Sequence, residues 1–249
     1  MRMSRWKAAS IHLCISAAIG AIVGALLLLV WYPPPYAHAA GADELVLLLV
    51  GVDLALGPLL TLVVFKTGKK GLKLDLGLIG MVQTAALVYG LSVILRSRPV
   101  FLVAVIDHFV LVTAAEIAPA DLKEGTQPEF RSLSWTGARL VGAVMPTDTE
   151  ARNRVVFDAA AGKDLQNLPR TFVDYDSIAK QFVEKAKKVD QLARTYPAVA
   201  PNVTQWAQSH DRQATDLAWV SVVAPKGELV MIVDGHEGTP LAAFAAASD

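Results

Sequence analysis

The sequence predicts a membrane protein with three transmembrane α-helices followed by an α+β extracytoplasmic domain. Three observations carry that prediction. The chain is 53% hydrophobic and 18% charged, against roughly 45–50% apolar and about a quarter charged for a soluble globule. Nearly all of the apolar excess lies before residue 118, within runs long enough to cross a bilayer. The basic residues, finally, fall in alternate loops between those runs.

A span needs about 20 mostly apolar residues. Ala8–Tyr32, Leu45–Phe65 and Leu74–Leu95 qualify, so the expected organisation is a three-helix membrane domain over 1–98 and an α+β domain over 99–249. The first run starts behind Arg2, Arg5 and Lys7 and is followed by Ala37-His38-Ala39, which imitates a signal-peptidase site. Its apolar length exceeds the roughly 7–15 residues of a signal peptide core, so a retained anchor is expected.

Basic residues in short flanking loops mark the cytoplasmic side. They occur at the N-terminus and in FKTGKKGLK after the second span, which holds Lys66, Lys69, Lys70 and Lys73. The loop between the first two spans, YPPPYAHAAGADE, holds neither lysine nor arginine. This places the N-terminus inside and the first loop outside. The third span then delivers everything after it to the outer side, where Arg96 and Arg98 can snorkel to headgroups.

The stretch VAVIDHFVLV, residues 103–112, is the ambiguous one. As a fourth span it would bury Asp107 and His108 near its centre, at a cost of at least about 2.5–3.5 kcal/mol for a charge. It is bounded by Pro99 and Pro119 and is rich in Val, Phe and Ile, residues that favour strands. Two strands, Val100–Ile106 and Phe109–Thr113, are therefore expected, with Asp107 and His108 as a candidate strand break near the membrane surface.

Downstream, Gly142–Met145 follows a polar loop, and Thr147–Ala161 reads as a helix with Thr147, Asp148 and Glu150 in capping positions. Asp176–Tyr196 gives the clearest helical pattern. Ile178, Phe182, Ala186, Val189, Leu192 and Tyr196 form one apolar stripe, with Glu184 and Lys188 as a solvated pair. A shorter helix is expected over Val203–His210. Leu217–Ala224 and Glu228–Val233 flank Pro225-Lys226-Gly227 as a hairpin, expected to pair beside the strands at 100–106 and 109–113.

The candidate functional residues lie inside the spans. Asp53, Gly57 and Thr61 share one face of the second helix, and an intramembrane acid is a functional candidate by default. Its bland alternative is a hydrogen bond to a neighbouring span, with Gln83 as partner. Pro58 permits a kink beside Gly57, and Gly90 lies on the third span. In the first span Ser16, Gly20 and Gly24 make a small-xxx-small face that lets another helix approach closely, whether one of the chain's own or a partner's.

No catalytic signature is present. His38, His108, His210 and His236 are scattered without metal-ligand spacing. There is no nucleophile elbow and no phosphate-binding glycine loop. An aspartyl dyad would have to join Asp53 with Asp75, which sit at different depths. The expectation is a non-enzyme with no cofactor and no metal. A net charge of zero gives no reason to expect nucleic acid, and the single cysteine, Cys14, cannot form an internal disulfide.

VDLALGPLLTLVVFKTGKKGLKLDLGLIGMVQTAALVYGL followed by RPVFLVAVIDHF resembles the TfpX/TfpZ type IV pilin accessory proteins of Gram-negative bacteria. The resemblance rests on Asp53, the run from Gly57 to Thr61, the lysine loop with Asp75, Gln83, Tyr89-Gly90, Arg98-Pro99 and Asp107 with Phe109. It is dense over residues 50 to 110 and elsewhere a matter of layout. His108 departs from the pattern, which has arginine there. What the resemblance implies is a chaperone-like accessory factor in the bacterial inner membrane that assists assembly of a cognate type IV pilin into surface pili. The implied partners are the pilin subunit, the lipid bilayer and other pilus assembly components. Ser16, Gly20, Gly24 and Asp53 would contact the pilin helix, and the periplasmic domain would read the pilin head. The alternatives are a membrane-anchored periplasmic sensor or ligand-binding module, which would want a cytoplasmic output domain, and a membrane enzyme.

Overall fold

A computed structural model describes residues 3–246; Arg2, one of the basic residues at the N-terminus, lies outside them. Three long apolar helices are followed by a mixed α/β sheet domain, as the sequence predicts. The chain forms two compact units. One holds the residues up to Pro34 together with Gly41–Arg96, and the other holds Pro35–Ala40 with the chain from Ser97 onward.

In the first unit, α1 (Arg5–Leu26) begins at Ser4, whose hydroxyl accepts from the Lys7 amide at 3.2 Å. The helix runs on as a π-turn over Leu27–Trp31, so the span extends to Trp31. Tyr32 follows, fully buried, and its hydroxyl donates to the Ile94 carbonyl at 2.8 Å. The short helix α2 (Tyr36–Ala39) belongs to the second unit. The second span, α3 (Ala42–Val64), carries Pro58 inside it, and the third is α4 (Leu72–Ser97). Each of these spans begins two or three residues ahead of the apolar limits read from the sequence.

The second unit is built on an eight-stranded sheet. Its first two strands, β1 (Pro99–Val105) and β2 (His108–Thr113), form an antiparallel hairpin, so VAVIDHFVLV is a hairpin and not a fourth span. All seven residues of β1 are buried, which suits a strand covered on both faces and explains its unbroken apolar run. α5 (Pro119–Lys123) leads to β3 (Arg139–Ala143), which lies parallel to β1 on its other edge. α6 (Thr149–Ala160) is N-capped by Asp148, whose side chain accepts from the Ala151 amide at 2.9 Å, as the sequence predicts. β4 (Phe172–Asp174) then pairs antiparallel with β3.

The long helix expected over Asp176–Tyr196 is not formed. The segment is divided into α7 (Ala179–Val183), the two-residue strand β5 (Lys187–Lys188) and α8 (Leu192–Thr195). With Lys188 in a strand, the expected Glu184–Lys188 helical pair is lost. The physical reason is that the stripe serves two cores. Phe182 packs on Phe109 and Tyr175, with ring centroids at 4.9 and 6.0 Å. Leu192 belongs to a separate cluster with Val203, Trp219 and Ile232, and the chain breaks between them to reach both.

α9 (Ala200–Ser209) precedes the meander β6 (Leu217–Ala224), β7 (Gly227–Asp234) and β8 (Pro240–Ala245). The strand order is β4-β3-β1-β2-β6-β7-β8, with β5 also on β6. The predicted closing hairpin is therefore β6–β7, and it joins the first hairpin through a parallel β2–β6 pairing. A second cluster, around Phe101, Val103, Val141 and Phe172, fills the other end of the sheet. Tyr175 donates to the Gly238 carbonyl at 2.6 Å, and burial raises its pKa.

Phe109 sits where the two halves of the sheet meet. Phe109→Ala is expected to destabilise the protein by about 3–5 kcal/mol, read by denaturant unfolding of the full chain with tryptophan fluorescence. A second expectation concerns the β7–β8 turn. Asp234 accepts from the His236 and Glu237 amides at 2.9 and 3.0 Å, and those bonds, Glu237 first, hold its carboxyl below its usual range. A depressed folded pKa means that the unfolded chain takes up the proton more readily. The turn's contribution is thus complete above the unfolded value of about 3.9 and is lost as pH falls through the folded one. Asp234→Asn should flatten that acid limb in a pH series of melting curves.

Candidate functional site

The polar and small residues of the three helices are divided between packed positions and open ones. In α1, Ser16 is buried. A Cβ on Gly20 would come within 2.7 Å of Val50 Cγ1 on α3. Those two small residues therefore seat α3 against α1, while Gly24 has nothing within 4 Å of where a Cβ would stand. The small-residue face is thus span packing at Ser16 and Gly20 and open at Gly24.

On α3, the three residues on the Asp53 face have three surroundings. Thr61 is buried, with Oγ1 2.6 Å from His12 Nδ1 on α1. Gly57 is buried beneath Gln83, and a Cβ there would run into the Gln83 amide. Gln83 in turn donates from Nε2 to the Asp53 backbone carbonyl at 3.4 Å, so the structure brings Asp53, Gly57 and Gln83 together. Pro58, next to Gly57, cannot donate to the Leu54 carbonyl of the helix ladder, and the Gln83 amide bonds the carbonyl beside it, that of Asp53. Gly90 on α4 is a seat for Leu49, which is itself buried.

His12 is a residue that sequence reasoning passed over. An ionisable side chain inside the first span is a default candidate by the rule that singles out Asp53, so the signal was present. Asp75 is held elsewhere, with Lys69 Nζ at 2.7 Å in the lysine loop.

Between α3 and α4 a groove of about 350 Å³ remains open, lined by Leu45, Leu48, Val52, Asp53, Tyr89 and Val93 among others. Leu48 and Tyr89 are about 70% exposed (70% and 72%). Asp53 is the one acid in this wall.

Asp107 and His108 belong to the sheet domain. Asp107 lies in the β1–β2 turn and His108 opens β2. Asp107 Oδ1 is 3.0 Å from His108 Nδ1, and that bond holds the Asp107 carboxyl below its usual range. The turn closes the end of β1 remote from Pro99, about 23 Å along the strand at roughly 3.3 Å per residue. A full strand length thus separates it from the end of α4. Among the described residues no group of three His, Cys, Asp or Glu side chains is placed to hold a metal ion.

The family model for the fimbrial assembly protein FimB matches residues 2–41, the first span and the loop after it. The fimbrial assembly protein of serogroup I from Dichelobacter nodosus is 31% identical over 187 residues, covering 74% of this chain and 72% of that protein. The chain belongs to the fimbrial assembly protein family. The serogroup E1 family member from the same organism is 30% identical with the same coverage. The protein of serogroups C1 and C2 is 32% identical over 120 residues, 47% of this chain and 92% of its own length. No solved structure matches the chain.

The packed and open positions give a paired prediction. Gly57→Val must displace Gln83 and should destabilise the bundle by about 1–3 kcal/mol. A Cβ at Gly24 has open space, so Gly24→Ala should leave stability unchanged. Thermal unfolding of the detergent-solubilised protein separates the two outcomes.

Proposed function

We propose that this protein is an inner-membrane accessory factor of the TfpX/TfpZ kind, which assists assembly of a cognate type IV pilin into surface pili without catalysing a reaction. Family membership supports a part in fimbrial assembly. The observation that carries the finer reading is the association of the first loop with the sheet domain. Residues 35–40 form one compact unit with the chain from Ser97 onward, and the Lys226 amide donates to the Ala39 carbonyl at 2.9 Å. This association supports a topology in which the first loop and the C-terminal domain share one side of the bilayer.

That loop lacks lysine and arginine, whereas the loop after α3 carries Lys66, Lys69 and Lys70, with Lys73 in the first turn of α4. By the distribution of basic residues the domain is periplasmic and the N-terminus cytoplasmic. A pilin awaiting assembly offers the same two parts, an apolar helix in the bilayer and a head in the periplasm. The groove between α3 and α4, with Gly24 on α1 as a second open position, is the surface we assign to the pilin helix.

Asp53→Leu is expected to lower surface piliation severalfold while the amount of this protein in the membrane stays constant. Photocrosslinkers at Gly24, Leu48 or Val52 should capture pilin, whereas one at Gly20, packed on Val50, should not. Loss of the protein in parallel with the pili would make Asp53 a packing residue. An alkaline phosphatase fusion at the C-terminus that stayed inactive would overturn the topology.

A further inference from the structure

Two hollows flank the β1–β2 turn, and they share Lys185. The first, about 260 Å³, is apolar over most of its lining and includes Ala104, Ile106, Met145, Leu165 and Phe182. The second, about 280 Å³, is lined by His108, Lys185, Lys187 and Ser221 among others, with Asp107 as its acid. Asp107 is already engaged by His108. The Asp107 charge also interacts with Lys185, so the hollow sets two lysines against one acid, and Lys187 holds its Nζ 4.8 Å above the Trp219 ring.

The second hollow coincides with a gap in the sheet. β7 takes one edge of β6 along its whole length. On the other edge β5 pairs with Ala218 and Trp219, and β2 pairs with Val222 and Val223. Val220 and Ser221 thus have a strand neighbour on the β7 side only. Exposed strand edges receive extended peptides through main-chain hydrogen bonds, with adjacent pockets reading the side chains, and this gap presents two residues of such an edge beside the second hollow. Between the hollows stands Ile106, 66% exposed and held at φ +54°. That φ is the one the first position of a two-residue hairpin turn takes, and it stands the Ile106 side chain out between the two hollows.

We propose that this end of the sheet binds an extended peptide segment of a partner protein, with an apolar side chain in the Ile106–Met145 hollow and a neighbouring carboxylate on Lys185 and Lys187. The charge of the second hollow selects the acid, the lining of the first selects the apolar neighbour, and the gap at Val220–Ser221 takes the backbone. The inference stands on the geometry of the sheet end and does not require the partner to be a pilin.

The test is calorimetric titration of the full chain in detergent micelles with an end-blocked pentapeptide centred on leucyl-glutamate. Its leucyl-glutamine counterpart, acetate and inorganic phosphate serve as comparison probes. The glutamate peptide should bind, and the glutamine peptide should bind roughly tenfold or more weakly, as expected when a charge-assisted bond is lost. Lys185→Glu and Met145→Asp should each weaken binding comparably, with Lys123→Glu as the unchanged control. Lys185→Gln, which removes the charge without reversing it, should show an intermediate loss if the Glu variant is misfolded. Equal binding of the two peptides would overturn the proposal, as would acetate or phosphate binding as tightly as the peptide. Self-association of the chain that Lys185→Glu abolishes would assign the hollows to a second copy and equally overturn it.

Discussion

The sheet domain depends on the burial of β1. A buried helix satisfies its peptide groups within itself, but a buried strand needs a neighbour on each edge. β1 is buried along its whole length and finds those neighbours in β2 and β3. The first is local, reached through a two-residue turn. The second lies more than thirty residues on and must return parallel to β1, which fixes the crossover through α5. Once β2 is in place its outer edge is open in turn, and β6 covers it over only two residue pairs, Phe109 with Val222 and Val110 with Val223. That seam is narrow. The aromatic group of Phe109, Tyr175 and Phe182 packs across it, which is why a chain segment with helical periodicity is drawn away to supply Phe182.

This seam also explains what the sequence could and could not convey. The spans were legible because the bilayer demands length and apolarity and little else. The two hairpins were legible because Asp107-His108 and Pro225-Lys226-Gly227 interrupt runs of strand-forming residues, though the first turn falls one residue earlier than expected, at Ile106-Asp107, with His108 already in β2. Asp148 announced α6 by its capping chemistry. Asp176–Tyr196 misled because no glycine or proline breaks it. Its division is imposed by β6, which pairs with Lys187 and Lys188 while the Trp219 indole donates to the Lys188 carbonyl at 3.1 Å. Tertiary pairing overrode a local preference. β4, β5 and β8 went unseen for a related reason. Two are three residues or fewer, and PLAAFA in β8 has no alternation to mark a face.

Within the helices, sequence reasoning found the residues but could not sort them. Ser16, Gly20 and Gly24 are equivalent by spacing, yet only the first two are covered by the chain's own packing. Asp53, Gly57 and Thr61 share a stripe, yet Thr61 meets His12, Gly57 and Asp53 both meet Gln83, and of the three Asp53 lines the groove wall as well. The sorting depends on which side chain of a neighbouring helix fills each place. A one-helix pattern does not contain that information.

The groove itself follows from what holds helices together in lipid. Lipid tails are as apolar as leucine, so association rests on close packing and interhelical hydrogen bonds. Gly57 and Gly90 admit Gln83 and Leu49, and with those seats filled α3 and α4 meet along part of their length. What is left is a concave surface whose leucines lipid can cover at no cost, but whose acid it cannot. A charged carboxylate in that wall costs about 2.5–3.5 kcal/mol on insertion scales. Gln83 on α4 already supplies the Asp53 side chain with a hydrogen bond, and a helix laid into the same groove would exclude lipid from the rest of the carboxyl group. On the proposed reading, the one acid in the wall is what would favour a partner helix over lipid there.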